Sequence, residues 1–240
     1  MNYNWNWGIF FEASPEGTGT YADMLLSGLA WTIVTALCSW VIAFLLGSLI
    51  GVMRTLPSRT ANAVGTAYVE LFRNIPLLVQ MFLWYFVLPE VLPEEWGSWL
   101  KQLPNAPFYT AVLCLGFFTA SRVAEQVRAG IQSLPRGQKM AGTALGLTVG
   151  QTYRHVLLPN AYRIILPPLT SEFLNNLKNT SVALTIGLLE LTARARAMQE
   201  FSFQVFEAFT AATILYVLIN VGVIFISSWI ERRVAIPGSR

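Results

Sequence analysis

Long stretches without a charged residue recur along the chain. Residues 24–53 contain no charge at all, and a helix needs roughly 20 mostly apolar residues to cross the hydrocarbon core of a bilayer. These residues are therefore predicted to form a first membrane-spanning helix, and residues 208–230 a last one. Small residues allow helices to approach closely in a membrane, and the first span contains three glycines of this kind: Gly28, Gly47 and Gly51.

Three further apolar stretches are interrupted by polar or charged residues. Residues 63–89 reach the required length if the helix begins near the start of that range, and a third span is predicted within residues 101–122. Residues 157–189 are also apolar, but they contain Glu172 and Lys178. Together with the first and last spans, these stretches predict an all-α polytopic membrane helix bundle with about five transmembrane helices.

The composition is consistent with a membrane environment. Apolar residues make up 54% of the chain and charged residues only 12%, against about 25% in an ordinary soluble domain, and the mean hydropathy is +0.51. The net charge of +3 does not indicate nucleic-acid binding, because the basic residues are not clustered.

Cys38 and Cys114 lie in apolar stretches and are predicted to be small buried side chains. Residues 1–16 lack the basic start and apolar core of a cleavable signal peptide.

The positions of Lys and Arg predict an orientation, since cytoplasmic loops of membrane proteins carry an excess of both. One basic group follows the first, third and last spans: Arg54, Arg59, Arg128, Arg136, Lys139, Arg154, Arg232, Arg233 and Arg240. The opposite span ends hold fewer basic residues: Lys101, Arg194 and Arg196. Residues 1–23 are therefore predicted to lie outside the cell and the carboxyl terminus in the cytoplasm. Five tryptophans fall near the predicted interfaces, as an aromatic belt would: Trp31, Trp84, Trp96, Trp99 and Trp229.

A polar segment separates the third and fourth predicted spans. Pro135 is expected to end the preceding helix, and residues 138–145 favour a short helix. Gly146 provides a turn where a positive φ is tolerated, and residues 149–155 form another short polar piece. Two interpretations follow from the residues alone. The segment is either a helix pair that docks on a partner or an amphipathic loop that lies on the lipid head groups.

Four motifs occur in order along residues 25–230. They read Glu70-Leu71-Phe72-Arg73-Asn74-Ile75-Pro76-Leu77-Leu78-Val79-Gln80, then Arg128-Ala129-Gly130-Ile131-Gln132-Ser133-Leu134-Pro135, then Gly137-Gln138 with Thr143-Ala144-Leu145-Gly146 and Leu158-Pro159-Asn160-Ala161, and finally Leu177-Lys178-Asn179-Thr180-Ser181. Together they resemble the permease subunits of binding-protein-dependent ABC importers, in the polar amino acid family. Within that family the likeness is strongest to glutamate/aspartate permease subunits.

The third motif resembles the family's cytoplasmic coupling segment, the so-called EAA loop. The resemblance implies that residues 136–156 dock on an ATPase, through Gln138, Ala141, Gly142, Ala144, Leu145 and Gly146. The family usually has Glu-Ala-Ala where this chain has Met140-Ala141-Gly142. The acidic residue that commonly helps to seat the loop is absent. Docking is therefore expected to depend on shape and apolar contact, and a non-identical second permease is expected to supply the charged half.

The resemblance also implies which activities lie on other subunits. Residues 1–240 would form a single permease domain of the bacterial inner membrane, with no catalytic residue. The chain has no GxxxxGK[ST] phosphate loop, only one histidine, and no carboxylate pair for acid–base catalysis. No metal or cofactor is expected on it, because ATP and Mg²⁺ would bind to a dimer of ATPase subunits. Further expected partners are a second permease, a periplasmic amino-acid-binding protein and membrane lipid, but no nucleic acid. The implied function is ATP-driven import of polar, acidic amino acids such as glutamate or aspartate.

Ionisable groups inside membrane spans are costly and often mark function. The candidates are Arg73, Arg122, Glu125, Glu172 and Lys178. Structural roles are predicted for most of them. Arg73 is expected to extend towards the interface or to form an ion pair, and Lys178 to pair with Glu172 or a helix-end carbonyl. Glu125 is expected to pair with Arg122, three residues before it.

Arg122 has a second interpretation. A planar guanidinium suits bidentate binding of a carboxylate, and an acidic amino acid has one carboxylate more than a neutral one. Arg122 is therefore predicted either to bind the side chain of the substrate or to form the intrahelical pair. Neutral hydrogen bonds to the substrate are predicted from Asn176, Asn179, Thr180 and Ser181. Polar contacts between helices are the alternative for each of these four residues.

Two other classes of membrane protein remain as alternatives. A stand-alone secondary transporter or channel would share the spans and the buried charges, but it often shows inverted repeats, and no persuasive one is visible in the sequence. An integral membrane enzyme would need a catalytic cluster near one interface. The only histidine, His155, has no neighbouring nucleophile or second metal ligand in sequence.

Overall fold

A computed structural model describes residues 3–17 and 19–234, apart from the side chain of Lys139, so that Arg240 lies outside the described residues. Helices dominate, and the described residues contain no β-strand, only an isolated bridge between Ala13 and Thr20. The α-helices are α1 (Tyr21–Met53), α2 (Arg59–Asn74), α3 (Leu77–Phe82), α4 (Leu88–Val91), α5 (Glu94–Gln102), α6 (Ala106–Ser133), α7 (Arg136–Ala144), α8 (Val149–Thr152), α9 (Leu158–Asn179), α10 (Leu191–Ser202) and α11 (Val205–Val234). Short 3₁₀ segments occupy Trp7–Phe11 and Thr180–Ile186, and single π-helical turns occupy Leu83–Val87 and Tyr153–Leu157.

Three of the described helices, α1, α6 and α11, are long and apolar enough to cross a membrane. They confirm the first, third and last predicted spans. The segment that contains α2 to α4 makes a fourth span if its two arms are counted as one. The fourth predicted span corresponds to α9, which is not among the helices that qualify by length and composition. Its polar residues, Glu172 and Lys178 among them, lower its hydropathy, and the number of five crossings stays a prediction.

The second predicted span is bent rather than straight. The arms Arg59–Asn74 and Leu77–Val91 meet at an angle of 99°. The cause is Pro76, because a proline disfavours helical geometry in the residue before it. Ile75 accordingly has an extended backbone, with φ −100° and ψ 127°. The hydrophobic length that was predicted for one helix is divided between two helical arms.

The chain divides into two compact units. The first consists of the described parts of Met1–Ser39, Pro76–Leu115 and Asn175–Gly222, and the second of those of Trp40–Ile75, Gly116–Leu174 and Val223–Arg240. Four long helices, α1, α6, α9 and α11, contribute residues to both units. The single domain predicted for residues 1–240 stays a prediction.

In the first unit, the short helix α10 supplies much of the core. Its buried residues Leu191, Ala195 and Met198 are spaced by three or four positions and so lie on one helix face. They pack in one cluster with residues from the beginnings of α1 and α11: Tyr21, Met24, Leu25, Ala208 and Ala212. The apolar face of α10 is thus covered, and its charged residues Arg196 and Glu200 are exposed.

In the second unit, α6 packs against the beginning of α9. Both helices present apolar residues four positions apart: Val123, Val127 and Ile131 on α6, and Leu157, Ala161, Ile165 and Leu169 before and along α9. The predicted close approach of α1 is also confirmed. A Cβ atom on Gly47 would lie 2.6 Å from Val123, and one on Gly51 would lie 2.7 Å from the Ala124 carbonyl. A larger residue at either position would push α1 away from α6.

The helix α9 remains continuous although Pro167 and Pro168 lie inside it. Nearby hydroxyl groups bond to carbonyls of the same turns, since Thr170 Oγ1 donates to the Leu166 carbonyl at 3.1 Å. The carbonyls that the two prolines leave without a backbone donor are different ones, those of Arg163 and Ile164.

Both cysteines are free. Cys114 is buried as predicted, whereas Cys38 is exposed. Cys38 follows Leu37, which is also exposed, on the outward side of α1, so the prediction of burial was wrong for this residue.

Candidate functional site

The polar segment after α6 forms a helical hairpin of α7 and α8. Pro135 precedes α7, as predicted, and Gly146 follows it with φ 73°. The Leu147 N–H donates to the Gly142 carbonyl and the Gly146 N–H to the Thr143 carbonyl, both at 3.0 Å. This pair of bonds is a Schellman motif, which satisfies the last carbonyls of a helix. The turn that was predicted at Gly146 is confirmed.

The two helices of the hairpin are held together at Gly142. A Cβ atom at this position would lie 2.9 Å from the Thr152 side chain, closer than such contacts normally are. Thr148 and Gln151 close a capping box at the beginning of α8. Because Gly142 is buried against α8, it cannot offer a surface to a partner. The expectation that Gly142 contacts the ATPase is therefore corrected to a packing role.

One side of the hairpin is exposed and apolar. Met140, Leu145 and Val149 are exposed by 69%, 78% and 51%, and Ala141, Ala144 and Gly146 are also exposed. Gln138 is half-buried, and its Oε1 accepts no hydrogen bond from a described residue. The exposed apolar residues provide the kind of surface that a partner protein covers.

The end of the hairpin is fixed to the rest of the second unit. The Tyr153 hydroxyl donates to the Thr55 carbonyl, just after α1, at 2.8 Å. Tyr153 and Leu157 are buried in the core that α6 and α9 share. A displacement of the hairpin would therefore act on helices α1, α6 and α9.

A charge network joins the end of α1 to α6. Glu125 accepts a hydrogen bond from Arg54 Nη1 at 2.6 Å and forms a second ion pair with Arg128. The side chains of Arg54 and Glu125 are exposed by only 10% and 27%. The predicted intrahelical pair between Glu125 and Arg122 is not formed. Arg128 lies three residues after Glu125 on the same helix face and takes that place.

Arg122 forms no ion pair with any residue that the structure describes. It is exposed, and its guanidinium lies over the ring of Phe118, 5.1 Å from the centroid. A cation–π contact of this kind leaves the N–H donors of the guanidinium available in its plane. Arg122 therefore has the free planar donor group that carboxylate binding requires.

The other charged candidates have different surroundings. Arg73 is exposed in the last turn of α2, where a cation is favoured by the helix dipole. Gln126 Nε2 donates to Glu172 Oε1 at 3.4 Å, while Glu172 Oε2 is buried without a hydrogen bond from the described residues. Lys178 is exposed and forms no ion pair within the described part of the chain, so its expected pairing with Glu172 is not observed.

The four predicted neutral ligands lie in the first unit, whereas Arg122 lies in the second. Asn176 is completely buried, and its amide donates to the Ala36 carbonyl at 3.0 Å and to Ser39 Oγ at 2.9 Å. Thr180 is buried too, and its hydroxyl donates to the Leu177 carbonyl. For both residues the structure corresponds to the alternative of internal polar contacts. Asn179 and Ser181 are half-buried, and the Ser181 hydroxyl donates to the Lys178 carbonyl.

Two buried carboxylates of the first unit, Glu190 and Glu207, were not predicted from the sequence. Glu190 caps α10 by accepting hydrogen bonds from the Thr192 and Ala193 backbone N–H groups at 2.9 and 2.8 Å, and the Tyr216 hydroxyl also donates to it. Burial raises the pKa of the Glu190 carboxyl above its usual value, against the effect of these donors. The sequence contained one signal for Glu190, which directly precedes a helix. Side-chain oxygens at this position commonly cap helix N-termini.

Glu207 lies in the first turn of α11. It is completely buried and accepts hydrogen bonds from the Tyr3 hydroxyl and, at 2.8 Å, from the Asn6 backbone N–H. These donors lie about two hundred positions away in the chain, so no local pattern could have revealed them. The contact ties the beginning of the chain to the last long helix.

Comparisons with known proteins agree on one family. The model of the binding-protein-dependent transport system inner membrane component matches residues 43–236. The chain is 52% identical to the glutamate/aspartate import permease protein GltJ of Escherichia coli K12, over 100% of this chain and 98% of the relative. It is 30% identical to the glutamine transport system permease protein GlnP of the same organism, over 96% and 98% of the two chains. A crystal structure of an amino acid ABC transporter with histidines superposes with a TM-score of 0.75 at 30% identity, covering 89% of this chain and 95% of that one. An inward-facing structure of the MetNI methionine ABC transporter has a similar fold, with a TM-score of 0.76 at 19% identity and coverage of 93% and 100%.

Proposed function

Because the chain belongs to the inner-membrane components of binding-protein-dependent transport systems, we propose that it is a transmembrane subunit of an ATP-driven importer for acidic amino acids. The observation that carries this proposal is the 52% identity to a glutamate/aspartate import permease along the whole chain. Hydrolysis of ATP takes place on a separate dimer of ATPase subunits, and no cofactor or metal resides on this chain. The importer releases glutamate or aspartate into the cytoplasm.

The distribution of charge supports an orientation. By sequence, the ranges of the first unit contain four Lys and Arg residues, and those of the second unit contain twelve. Because cytoplasmic loops are the ones enriched in Lys and Arg, the loops of the second unit face the cytoplasm. The few basic residues before the first span support a periplasmic amino terminus, and a separate periplasmic amino-acid-binding protein delivers the substrate.

The α7–α8 hairpin serves as the docking element for the ATPase. Its exposed apolar residues support docking by shape and apolar contact, as the replacement of the usual Glu-Ala-Ala by Met140-Ala141-Gly142 implies. The buried contact of Gly142 with Thr152 keeps the two short helices at a fixed spacing. The absent acidic residue also supports a second, non-identical permease subunit that supplies the charged contact.

A Leu145→Asp variant is expected to lose the ATPase. Leu145 is 78% exposed, so the substitution has little effect on folding, but it places a charge in the apolar contact. Losing the burial of a leucine removes about 1.5–3 kcal/mol of association energy, which is roughly a tenfold to hundredfold weaker complex. Copurification of the ATPase with the tagged permease measures this loss.

Leu145→Met is the matched control, since it keeps an apolar side chain of similar size, and it should retain the ATPase. The melting temperature of both variants should stay close to that of the unsubstituted chain. If the Asp variant keeps the ATPase at the original stoichiometry, the hairpin is not the docking element. The interpretation as a loop on the lipid head groups would then be favoured.

Arg122 binds the side-chain carboxylate of the substrate, whereas the neutral hydrogen bonds expected from Asn179 and Ser181 stay a prediction. The support for Arg122 is its exposure and its lack of an ion pair among the described residues. Asn176 and Thr180 are not retained in this proposal, because both are completely buried in internal hydrogen bonds.

The test of the function is uptake into liposomes that contain the complex, its ATPase and its binding protein. Uptake of labelled glutamate is expected to require ATP and to exceed uptake of glutamine and of arginine. Equal uptake of all three amino acids would contradict the acidic specificity while leaving the importer in place. Uptake without ATP would contradict the importer itself and favour a stand-alone secondary transporter.

A further inference from the structure

A cavity of about 270 Å³ lies in the first unit, beside the bent second span. Part of its wall is the π-helical turn Leu83–Val87, which contributes Trp84 and Tyr85. Another part is one face of α6, where Tyr109 and Leu113 are four positions apart. The lining is therefore aromatic and aliphatic. Isolated π-helical turns occur often at functional sites.

An ion pair of Glu90 and Lys101 stands at the edge of this cavity. Lys101 Nζ lies 2.6 Å from Glu90 Oε1, and the side chains are 67% (Glu90) and 50% (Lys101) exposed. The pair results from the way in which α5 crosses α4. Gly97 lets α5 approach so closely that a Cβ atom there would lie 2.1 Å from the Pro89 carbonyl. Lys101 is one helical turn beyond Gly97 and thereby reaches Glu90, the residue after Pro89.

Both partners of this pair are available to a ligand. An exposed ion pair contributes little to stability, because water screens it and two long side chains must be ordered to form it. Glu90 can therefore exchange Lys101 for an ammonium group, and Lys101 can exchange Glu90 for an anionic oxygen. The edge of the cavity thus offers one negative and one positive group side by side.

The surroundings of the cavity are those of the membrane interface. Phe86, Leu88 and Leu113 line it and are each at least 39% exposed on segments that are apolar enough to span a bilayer, so acyl chains are their natural solvent. Trp96 and Trp99 are exposed on the short helix α5, and tryptophan concentrates at the level of the head groups. These neighbours indicate that the Glu90–Lys101 pair, which also lines the cavity, lies at the depth of lipid head groups.

We propose that this cavity binds a phospholipid with a zwitterionic ammonium–phosphate head group. Lys101 pairs with the phosphate, Glu90 pairs with the ammonium group, and the aromatic walls contact the first part of an acyl chain. Such a site is independent of the transported substrate, and it gives this face of the chain a specific lipid rather than general solvation by the bilayer.

Native mass spectrometry of the assembled complex tests this assignment. The complex is reconstituted in nanodiscs with equal parts of phosphatidylethanolamine and phosphatidylglycerol. It is then released from the nanodiscs in the mass spectrometer, and the lipid molecules that stay bound to it are identified and counted. Phosphatidylethanolamine is expected to be retained preferentially. In the double variant Glu90→Gln with Lys101→Gln its retention should fall by about tenfold, because both charge-assisted contacts are lost. Ala106→Trp fills the cavity without touching the charges and should reduce retention as well.

The pair of Arg196 and Glu200 on α10 provides a matched control. These side chains form an exposed ion pair at 2.8 Å in the same unit, and they do not line the cavity. The double variant Arg196→Gln with Glu200→Gln should retain the lipid as the unsubstituted complex does. Lys101→Arg should also retain it, and melting temperatures identify any variant that fails to fold.

Three results would overturn the proposal. One is unchanged lipid retention in the Glu90→Gln, Lys101→Gln variant. Another is preferential retention of phosphatidylglycerol, which would mean that Lys101 alone attracts an anionic lipid. The third is lipid that is retained by the separately purified chain but not by the complex, which would show that another subunit covers this face.

Discussion

An Arg122→Gln variant is expected to lose most glutamate and aspartate uptake while its complex still assembles. The Arg122 guanidinium is exposed and contacts the Phe118 ring, with no ion pair in the described part of the chain, so removing its charge breaks no ion pair and costs only the contact with this ring. Hydrogen bonds to a charged group are worth about 1.5–3 kcal/mol, which corresponds to uptake that is roughly 10- to 100-fold lower at low substrate concentration. ATP-dependent uptake of labelled glutamate into liposomes measures the effect.

Arg163→Gln is a matched control for this substitution. Arg163 is also exposed on a long helix, α9, and forms no ion pair with a described residue, so uptake should remain near that of the unsubstituted chain. Arg122→Lys keeps the charge but lacks the planar fork of donors, and its uptake should be intermediate. If glutamate uptake is unchanged in an assembled Arg122→Gln complex, the residue does not bind the substrate.

A Glu125→Ala variant is expected to be strongly destabilised. Its carboxylate is the partner of both Arg54 and Arg128, and the Arg54 side chain is only 10% exposed. Removing one member of a buried ion pair leaves the other charge without compensation, which costs about 3 kcal/mol or more. The Arg54 Nε already lacks a hydrogen-bond partner among the described residues, so this guanidinium has little capacity to adapt. The melting temperature in detergent should fall by several degrees.

Glu200→Gln is the control for an exposed pair. Glu200 pairs with Arg196 four residues before it, and both side chains are more than half exposed. Neutralising such a pair costs only about 0.3–0.5 kcal/mol, so the melting temperature should hardly change. Equal decreases of the melting temperature in the Glu125 and Glu200 variants would show that the ion-pair network between α1 and α6 contributes no more to stability than an exposed pair does.

The long apolar helices could be predicted from the sequence for a physical reason. A backbone inside lipid must satisfy its own hydrogen bonds, so an uninterrupted apolar run has few structures other than a helix. The first span was predicted at residues 24–53 and is the helix Tyr21–Met53, and the last was predicted at 208–230 and is Val205–Val234. The bend at Pro76 was not predicted, although a proline within an apolar run is a known local cause of such a break.

The partners of charged residues were harder to predict. Arg122 and Arg128 are both three positions from Glu125, and Arg54 is far away in the chain, so sequence distance alone does not identify the partner. The order of the residues contained a clue, because a glutamate that precedes its basic partner along a helix pairs better than one that follows it. The internal bonds of Asn176 depend on a carbonyl and a hydroxyl of α1, which become visible only once the helices are packed.

The two adjacent prolines of α9 determine where that helix is mechanically weakest. A proline cannot donate the hydrogen bond that would reach the carbonyl four positions earlier, so the carbonyls of Arg163 and Ile164 lose their usual backbone partners. The helix is accordingly least stiff between Arg163 and Pro168. A force applied at Leu158, where α9 leaves the hairpin, would be taken up first as a change of curvature at this hinge. The far end of α9 at Asn179 would therefore tilt instead of being pushed along its axis.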